Sequence, residues 1–201
     1  FKPIDQYCPK CNWFMVEKYD KKNGSYKSCI NPDCDYLHSV TDAVEETQKE
    51  LLAKYGAERK EFGKFKTSQG TELNYWMIKP TNMEKGKEYP LLMYVYGGPG
   101  SQEVLNSQSR FSDYMWFRML AQKGYVVACV DGRGTGMRGE EFKKCTYMEL
   151  GKYETEDQIE AAKYFGSLDF IDKDRIGIFG WSYGGYMSTL CITKGADYFK
   201  T

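Results

Sequence analysis

Gly180-Trp181-Ser182-Tyr183-Gly184-Gly185 lies between an apolar run over residues 175–179 and a helix-compatible pattern over residues 186–193. The apolar run is typical of a short buried strand. Where G-x-S-x-G joins a strand to a helix, small neighbours let the backbone turn sharply and present the serine hydroxyl above the sheet edge. The sequence therefore predicts a nucleophile elbow with Ser182 as the nucleophile. The alternative is a glycine-rich turn that contains an incidental serine.

The position of Ser182 near the end of the sequence predicts a fragment. A hydrolase with such an elbow carries its triad acid and histidine after the nucleophile, but the sole histidine, His38, lies far upstream. The chain also begins with Phe1 rather than methionine and ends at Thr201. We therefore expect a domain truncated at its C-terminus, in which the serine lacks a base and is almost inert.

The composition sets broad limits on the class of protein. Lys and Arg number 28, as do Asp and Glu, so the net charge does not indicate nucleic acid, a membrane surface or an acidic substrate. No apolar run approaches the ~20 residues that cross a bilayer, and we expect no membrane span. Four cysteines lie within the first 34 residues and the other three are scattered, which predicts two domains of different kinds.

The N-terminal cysteines lie in two short loops that 17 residues separate. A loop of about two to four residues directs two thiolates at one ion, and four thiolates complete the tetrahedral shell of Zn²⁺. Between the loops, residues 14–19 and 25–28 predict strands, and Asn23-Gly24 favours a hairpin turn. Residues 1–40 are therefore predicted to be a zinc ribbon, and His38 is expected to be exposed rather than a ligand. Its structural zinc ligands would be Cys8, Cys11, Cys29 and Cys34; the alternatives are free thiols or disulfides.

The ribbon has C-P-K-C at residues 8–11, a lysine-rich aromatic hairpin, and C-I-N-P-D-C-D-Y at residues 29–36. In these motifs residues 5–38 resemble the C-terminal zinc ribbons of bacterial type IA DNA topoisomerases. The resemblance implies contact with single-stranded DNA through exposed aromatic and basic side chains, for which the candidates are Trp13, Tyr19, Tyr26, Lys21, Lys22 and Lys27. Residues 1–38 hold six lysines and five acids, a weak electrostatic footprint. The alternative is a ribbon with a structural role only.

Residues 62–201 alternate strand-like and helix-like stretches, which predicts an α/β layer architecture. Nearly continuous apolar runs are typical of parallel strands that are covered on both faces. The predicted elements are an antiparallel edge strand at 72–79, parallel strands at 91–96 and 125–130, and helices at 112–123 and 154–168.

Three further stretches have structural interpretations. Residues 41–61 are predicted to be a charged connecting helix or linker without chemistry. The acids Glu154, Glu156 and Asp157 lie at a predicted helix start. There they are expected to interact only with the helix dipole and not to bind a metal. Residues 131–134 (D-G-R-G) lack the spacing of a phosphate loop and predict a tight connection that shapes the cleft wall.

A glycine-rich loop, Tyr96-Gly97-Gly98-Pro99-Gly100, follows one of the predicted strands. In hydrolases with a nucleophile elbow, glycines in the corresponding loop let the backbone approach a substrate carbonyl and supply part of the oxyanion hole. The second donor would be the backbone N–H of Tyr183, the residue after the nucleophile. The elbow and this loop together predict an acyl-transfer site.

Four motifs, V-Y-G-G-P-G-S-Q at 95–102, V-D-G-R-G-T-G at 130–136, E-D-Q at 156–158 and G-W-S-Y-G-G-Y at 180–186, resemble the prolyl oligopeptidase family of serine peptidases, in its dipeptidyl peptidase IV branch. The resemblance implies an α/β-hydrolase domain over residues 62–201, of which this sequence holds the N-terminal half. It implies that Ser182 attacks a peptide carbonyl after proline or alanine, and that the Tyr96 hydroxyl and the Tyr183 N–H bind the oxyanion. The sequence departs from the family in two ways: a zinc ribbon stands where the family has a β-propeller, and no triad Asp and His follow the serine.

We therefore expect a serine-peptidase fragment that acts on peptides in principle and is inert by itself. The alternative is the DNA-binding zinc-ribbon segment of a topoisomerase fused to a hydrolase fragment. Ribbon thiolates require a reducing or metal-sheltered environment, so the cytoplasm is expected, although an exported location would suit the peptidase half. The sequence makes no prediction of oligomeric state.

Overall fold

The computed structural model describes residues 2–20, 24–39, 60–106 and 111–201 of the chain. The chain divides into two units, Phe1–Ala57 and Glu58–Thr201. Of the predicted connecting helix or linker at residues 41–61, residues 41–59 lie outside the described residues, and Glu61 is the first residue of a strand. Among the helices that are described, none has both the length and the apolar character needed to cross a membrane.

The first unit contains a four-stranded antiparallel sheet in the order β1-β2-β3-β4. The strands are β1 (Lys2–Tyr7), β2 (Phe14–Asp20), β3 (Gly24–Cys29) and β4 (Leu37–Ser39). The predicted pairing of residues 14–19 with 25–28 is confirmed, since β2 and β3 pair with Asp20 opposite Gly24. The sequence analysis missed β1 and β4. One reason is Pro3, which weakens the strand signal but is tolerated because β1 is an edge strand.

The second unit contains a five-stranded sheet in the order β5-β6-β8-β7-β9. Its strands are β5 (Glu61–Lys66), β6 (Glu72–Ile78), β7 (Tyr89–Tyr94), β8 (Val126–Asp131) and β9 (Ile171–Phe179). The strands β8, β7 and β9 are parallel, and β5 and β6 are antiparallel to their neighbours. Every residue of β8 is buried, as expected for a parallel strand that is covered on both faces. The predicted α/β architecture is confirmed.

The prediction that residues 72–79 form an edge strand was wrong. β6 lies inside the sheet because β5 pairs along its outer side, with Gly63 opposite Tyr75. The sequence signal of β5 is weak, since only Phe65 among its six residues is buried. Gly63 makes room for the Tyr75 ring, because a Cβ atom there would lie 2.4 Å from the ring and displace it.

The described part of this unit contains four helices. They are α1 (Phe111–Gln122), α2 (Glu140–Lys144), α3 (Tyr153–Gly166) and α4 (Tyr183–Lys194). Alternate residues of a strand point to opposite faces of the sheet. Phe117 of α1 packs against Trp76 and Tyr94 on one face. The core on the other face includes Met77, Met93 and Ile178 from the strands, Phe165 from α3 and Met187 from α4.

An ion pair joins the end of β8 to α3. Arg133 Nη2 lies 2.7 Å from Asp157 Oδ1, and the Arg133 backbone N–H donates to Asp157 Oδ2 at 2.6 Å. Burial raises the pKa of Asp157, although hydrogen bonds and charge from Arg133 oppose the shift. The expectation that Asp157 interacts only with the helix dipole was wrong. Its partner is a specific guanidinium that fixes the connection after β8, as the predicted structural role of residues 131–134 requires.

We expect Asp157→Ala to lower the free energy of unfolding by about 3 kcal/mol. The substitution removes the fully buried carboxylate and leaves Arg133 only the partly exposed carboxylate of Glu156, 3.3 Å from Arg133 Nη2. The Arg133 side chain is only 14% exposed and that of Asp157 is fully buried. Urea denaturation measures the difference. The control is Asp174→Ala, which removes an exposed carboxylate and should change stability by at most about 0.5 kcal/mol. Equal effects of the two substitutions would contradict a structural role for the ion pair.

Candidate active site and cysteine cluster

Ser182 lies in the turn that connects β9 to α4. Its backbone has φ 56° and ψ −123°, outside the favoured regions for a residue with a side chain. β9 ends at Phe179 and α4 begins at Tyr183, so Ser182 occupies the sharp strand-to-helix turn, and it is exposed. Ser182 therefore has the backbone geometry that a nucleophile elbow requires, and its role as the nucleophile stays a prediction.

Two glycines allow the elbow to contact the backbone after β7. A Cβ atom at Gly180 would lie 2.0 Å from the carbonyl oxygen of Val95, and one at Gly184 would lie 2.1 Å from the same atom. Real Cβ atoms do not approach an oxygen so closely, so only glycine fits at either position. The contact brings the start of α4 beside the next residue, Tyr96, whose ring centroid lies 6.4 Å from that of Tyr183.

The loop after Tyr96 is shaped by backbone turns and by a buried carboxylate. Gly97 and Gly100 have φ angles of 69° and 74°, in the left-handed region that glycine adopts without strain. Asp131, at the end of β8, accepts hydrogen bonds from the backbone N–H of Glu103 at 3.1 Å and of Val104 at 2.8 Å. Burial raises the pKa of Asp131 to about 6, although these hydrogen bonds oppose the shift. Asp131 thus anchors the segment that follows the glycine-rich loop.

Glu154 has specific partners beyond the helix dipole. It is 2% exposed, and its Oε1 accepts a hydrogen bond of 2.7 Å from the Tyr183 hydroxyl. Its Oε2 accepts one of 3.0 Å from the Gly151 backbone N–H. Burial and the hydrogen bond to Glu154 both raise the pKa of the Tyr183 phenol, which is therefore protonated and donates. The prediction that Glu154 interacts only with the helix dipole was wrong. The sequence gives no signal for its contact with Tyr183, because 29 positions separate the two residues.

The four N-terminal cysteines lie together in the first unit. Their sulfur atoms are all within 4.8 Å of one another, with 3.7 Å between Cys8 and Cys34 and 3.4 Å between Cys11 and Cys29. Tetrahedral Zn²⁺ with Zn–S bonds of about 2.3 Å places its sulfurs about 3.8 Å apart. None of the four is in a disulfide. The donor set and its spacing therefore fit a zinc ion.

The predicted DNA-contact residues differ in exposure. Trp13 and Tyr19 are 51% and 72% exposed, whereas Tyr26 and Lys27 are half-buried. Lys21 and Lys22 lie outside the described residues, as does the side chain of His38. Contact with single-stranded DNA therefore stays a prediction.

The remaining cysteines lie in the second unit. Cys129 and Cys191 are buried in it, and Cys145 is half-buried. Burial raises the pKa of the Cys191 thiol to about 12, so this thiol is protonated near neutral pH. These positions are typical of ordinary core or surface thiols.

The chain is similar in sequence to known peptidases. Residues 110–201 match the model of the prolyl oligopeptidase family. The chain is 48% identical to prolyl endopeptidase FAP of Mus musculus over 131 residues, which cover 64% of this chain and 17% of that protein. It is 34% identical to dipeptidyl peptidase 8 of Homo sapiens over an alignment of 211 positions, which covers 98% of this chain and 22% of that protein.

A solved structure agrees with these sequence similarities. The crystal structure of Porphyromonas gingivalis dipeptidyl peptidase 4 matches with a TM-score of 0.71 and 42% identity, over 93% of this chain and 26% of that one. The α/β sheet and the similarities together identify an α/β-hydrolase domain with serine-peptidase homologues. The chain spans only about a fifth of the length of the curated relatives described above.

We expect Ser182→Gly to raise the free energy of unfolding by about 1 kcal/mol. The substitution relieves about 1–3 kcal/mol of backbone strain, and the extra freedom of glycine in the unfolded chain offsets about 0.5–1 kcal/mol of that gain. Ser182→Ala is the control, since it removes the hydroxyl but keeps the Cβ atom and hence the strain. Chemical denaturation measures both variants. A Ser182→Gly variant no more stable than Ser182→Ala would show that the turn is not strained.

Proposed function

We propose that residues 58–201, which match the prolyl oligopeptidase family over residues 110–201, form a serine-peptidase domain that cleaves peptide bonds by acyl transfer to Ser182. The observation that carries the proposal is the strained turn at Ser182, held against the backbone at Val95 by glycines that tolerate no side chain. Such a turn serves to present a hydroxyl at the carboxyl end of a parallel sheet. The similarity to peptidases supports the choice of a peptide carbonyl as the electrophile.

The proposed oxyanion hole has two donors beside Ser182. The first donor is the backbone N–H of Tyr183. Tyr183 is the first residue of α4, so this N–H has no partner in a preceding helical turn. The Tyr96 hydroxyl is the second donor, on a half-buried ring that packs beside that of Tyr183. Each donor of this kind typically lowers the barrier by about 3–4 kcal/mol. Both would stabilise the negative charge that forms on the carbonyl oxygen when Ser182 attacks.

The missing element of the reaction within this sequence is a base. No histidine follows Ser182, and the only histidine is His38 in the first unit. A serine hydroxyl without a proton acceptor is a weak nucleophile at neutral pH. We therefore propose that the chain by itself acylates Ser182 slowly, and that an imidazole from solution can take the role of the base.

We expect imidazole in solution to accelerate acylation of Ser182 by an activated ester such as p-nitrophenyl acetate, beyond the rate of the uncatalysed reaction with imidazole. Mass spectrometry of the acylated chain locates the acyl group. Tyr96→Phe should slow the Ser182-dependent reaction by about 100-fold or more, because it removes one oxyanion donor. Without imidazole, a fluorophosphonate probe should label the chain no faster than the Ser182→Ala variant.

The control for this experiment is Ser188→Ala, which removes a buried hydroxyl from the same helix. That hydroxyl donates to the Gly184 carbonyl oxygen and lies outside the proposed chemistry. Its rate with imidazole should equal that of the unsubstituted chain. If Ser182→Ala is acylated as fast as the unsubstituted chain in imidazole, Ser182 is not the nucleophile and the proposal fails.

We also propose a structural Zn²⁺ in the first unit, supported by the mutual distances of four sulfur atoms. Cys8, Cys11, Cys29 and Cys34 would hold the ion. The Asn31 backbone N–H, 3.4 Å from Cys29 Sγ, would stabilise the negative charge on that thiolate. Among the described residues, the buried apolar cluster around these thiols contains only Met15 as a further buried side chain. A unit with so small an apolar core depends on a metal for stability, about 10–16 kcal/mol in zinc-finger peptides.

We expect about one zinc per chain, lost in Cys34→Ala and retained in Cys145→Ala, because only the first substitution breaks the four-thiolate shell. Elemental analysis of the purified, desalted chain measures the metal. A chelator should reduce the β-sheet signal of the first unit as it removes zinc. Equal zinc content in the two variants, or none in the unsubstituted chain, would contradict a zinc site at these cysteines.

A further inference from the structure

Glu154 is a buried carboxylate that binds two different parts of the candidate site. Its Oε1 accepts from the Tyr183 hydroxyl at 2.7 Å, and its Oε2 accepts from the Gly151 backbone N–H at 3.0 Å. The side chain is on α3, whereas Tyr183 begins α4 and Gly151 precedes α3. Glu154 therefore joins the start of α3 and the segment before it to the first residue of the elbow helix.

The ring of Tyr183 lies between two other aromatic rings. Its centroid is 6.4 Å from that of Tyr96 and 5.4 Å from that of Tyr186. The Tyr186 hydroxyl in turn donates to the Leu150 carbonyl oxygen at 3.2 Å. The far end of the Tyr183 ring is thus fixed by Glu154 and its faces are limited by neighbours. A ring that cannot rotate or shift restrains its own Cα atom, and with it the peptide that joins Ser182 to Tyr183.

That peptide requires a restraint, because the turn at Ser182 is strained. A strained turn persists only where the surrounding structure holds it in place. The hydrogen bond from Tyr183 to the Glu154 carboxylate is charge-assisted and largely shielded from water, which makes it stronger than a bond between neutral groups. It acts on the residue whose backbone N–H has to point at the oxyanion.

We propose that Glu154 is a positioning residue for the oxyanion hole, which it orders through the Tyr183 side chain. The inference rests on the proposed acyl transfer at Ser182. The orientation of the Tyr183 N–H by Glu154 can be measured whether or not that acyl transfer occurs. Glu154 holds the Tyr183 ring, the ring fixes the direction of the Tyr183 N–H, and the same ring forms one wall against which Tyr96 packs. Both proposed oxyanion donors are therefore aligned by one carboxylate that never touches the substrate.

A simpler role for Glu154 is to stabilise the start of α3. An acid in the first turn of a helix favours the helix through the dipole, and its bond to Gly151 adds to this effect. That role explains the hydrogen bond from Gly151 to Oε2. It does not explain the hydrogen bond from the Tyr183 hydroxyl to Oε1. It predicts that loss of Glu154 lowers stability and leaves the direction of the Tyr183 N–H unchanged.

The test compares Glu154→Ala and Tyr183→Phe with the control Glu160→Ala. Glu160 lies on the same helix and also accepts from one backbone N–H, that of Ser68 at 2.7 Å, and from one side chain, that of Lys163 at 2.8 Å. Its loss therefore removes a matched pair of hydrogen bonds away from the elbow. Tyr183→Phe removes only a hydroxyl, so it is expected to fold even if Glu154→Ala does not.

Two measurements are made on each variant. The first is the amide ¹H and ¹⁵N chemical shifts of residue 183 in the folded chain, which report the orientation of its N–H. The second is the Ser182-dependent acylation with imidazole, resolved into a maximal rate and a half-saturating ester concentration. We expect Glu154→Ala and Tyr183→Phe each to shift the residue 183 amide and to lower the maximal rate about tenfold, as misalignment of an oxyanion donor would. The half-saturating concentration should stay within about twofold, since ground-state binding is not altered.

The double variant Glu154→Ala/Tyr183→Phe separates a shared pathway from two independent effects. If Glu154 acts through Tyr183, the double variant should be no slower than the slower single variant. Glu160→Ala should change neither the amide of residue 183 nor the rate. An unchanged amide in both Glu154→Ala and Tyr183→Phe would overturn the inference, whatever the rates. Failure of the unsubstituted chain to acylate at Ser182 would instead overturn the proposed function, and the amide shifts would still decide the positioning role.

Discussion

The close approach of the elbow to the backbone at Val95 is the constraint on which the candidate site depends. At Gly180 and Gly184 a single methyl group would collide with the Val95 carbonyl oxygen, so the strand-to-helix turn has no room to relax. The turn therefore sits directly beside the end of β7, at the edge of the sheet where parallel strands end together. This contact places Ser182, Tyr183 and Tyr96 in one small region, although 86 positions separate Tyr96 from Ser182 in the sequence.

Buried carboxylates hold the loops that surround this edge. Asp131 accepts from the backbone of residues 103 and 104, Asp157 accepts from the backbone and side chain of Arg133, and Glu154 accepts from Gly151 and Tyr183. A buried carboxylate without donors is costly, so each of these acids strongly favours the loop conformation that supplies its donors. The loops gain a fixed conformation, and the proposed oxyanion donors would therefore be organised before a substrate binds.

The first unit solves the problem of stability in a different way. In the part of this unit that the structure describes, the buried cluster consists of Cys8, Met15 and Cys29, with Ile4 and Tyr36 among the side chains packed against it. This cluster is far smaller than the core of the second unit. A small sheet with so little apolar burial requires a cross-link or a metal. The proposed Zn²⁺, held by the four thiols that lie within 4.8 Å of one another, would meet that requirement. The similarity to dipeptidyl peptidase 8 covers 98% of the chain and so extends into this unit.

The elbow, the parallel strands, the four cysteines and the glycine-rich loop are all predictable from the sequence, because each depends on local spacing. A glycine pattern after an apolar run specifies a tight turn, and C-x-x-C spacing specifies two thiolates near one point. The pairing of β5 with β6 was not predictable, because β5 buries only Phe65. The partners of Asp131, Glu154 and Asp157 were not predictable either. Only the folded sheet decides which donors meet these acids, because long-range contacts are set by the packing of strands and helices rather than by neighbours in sequence.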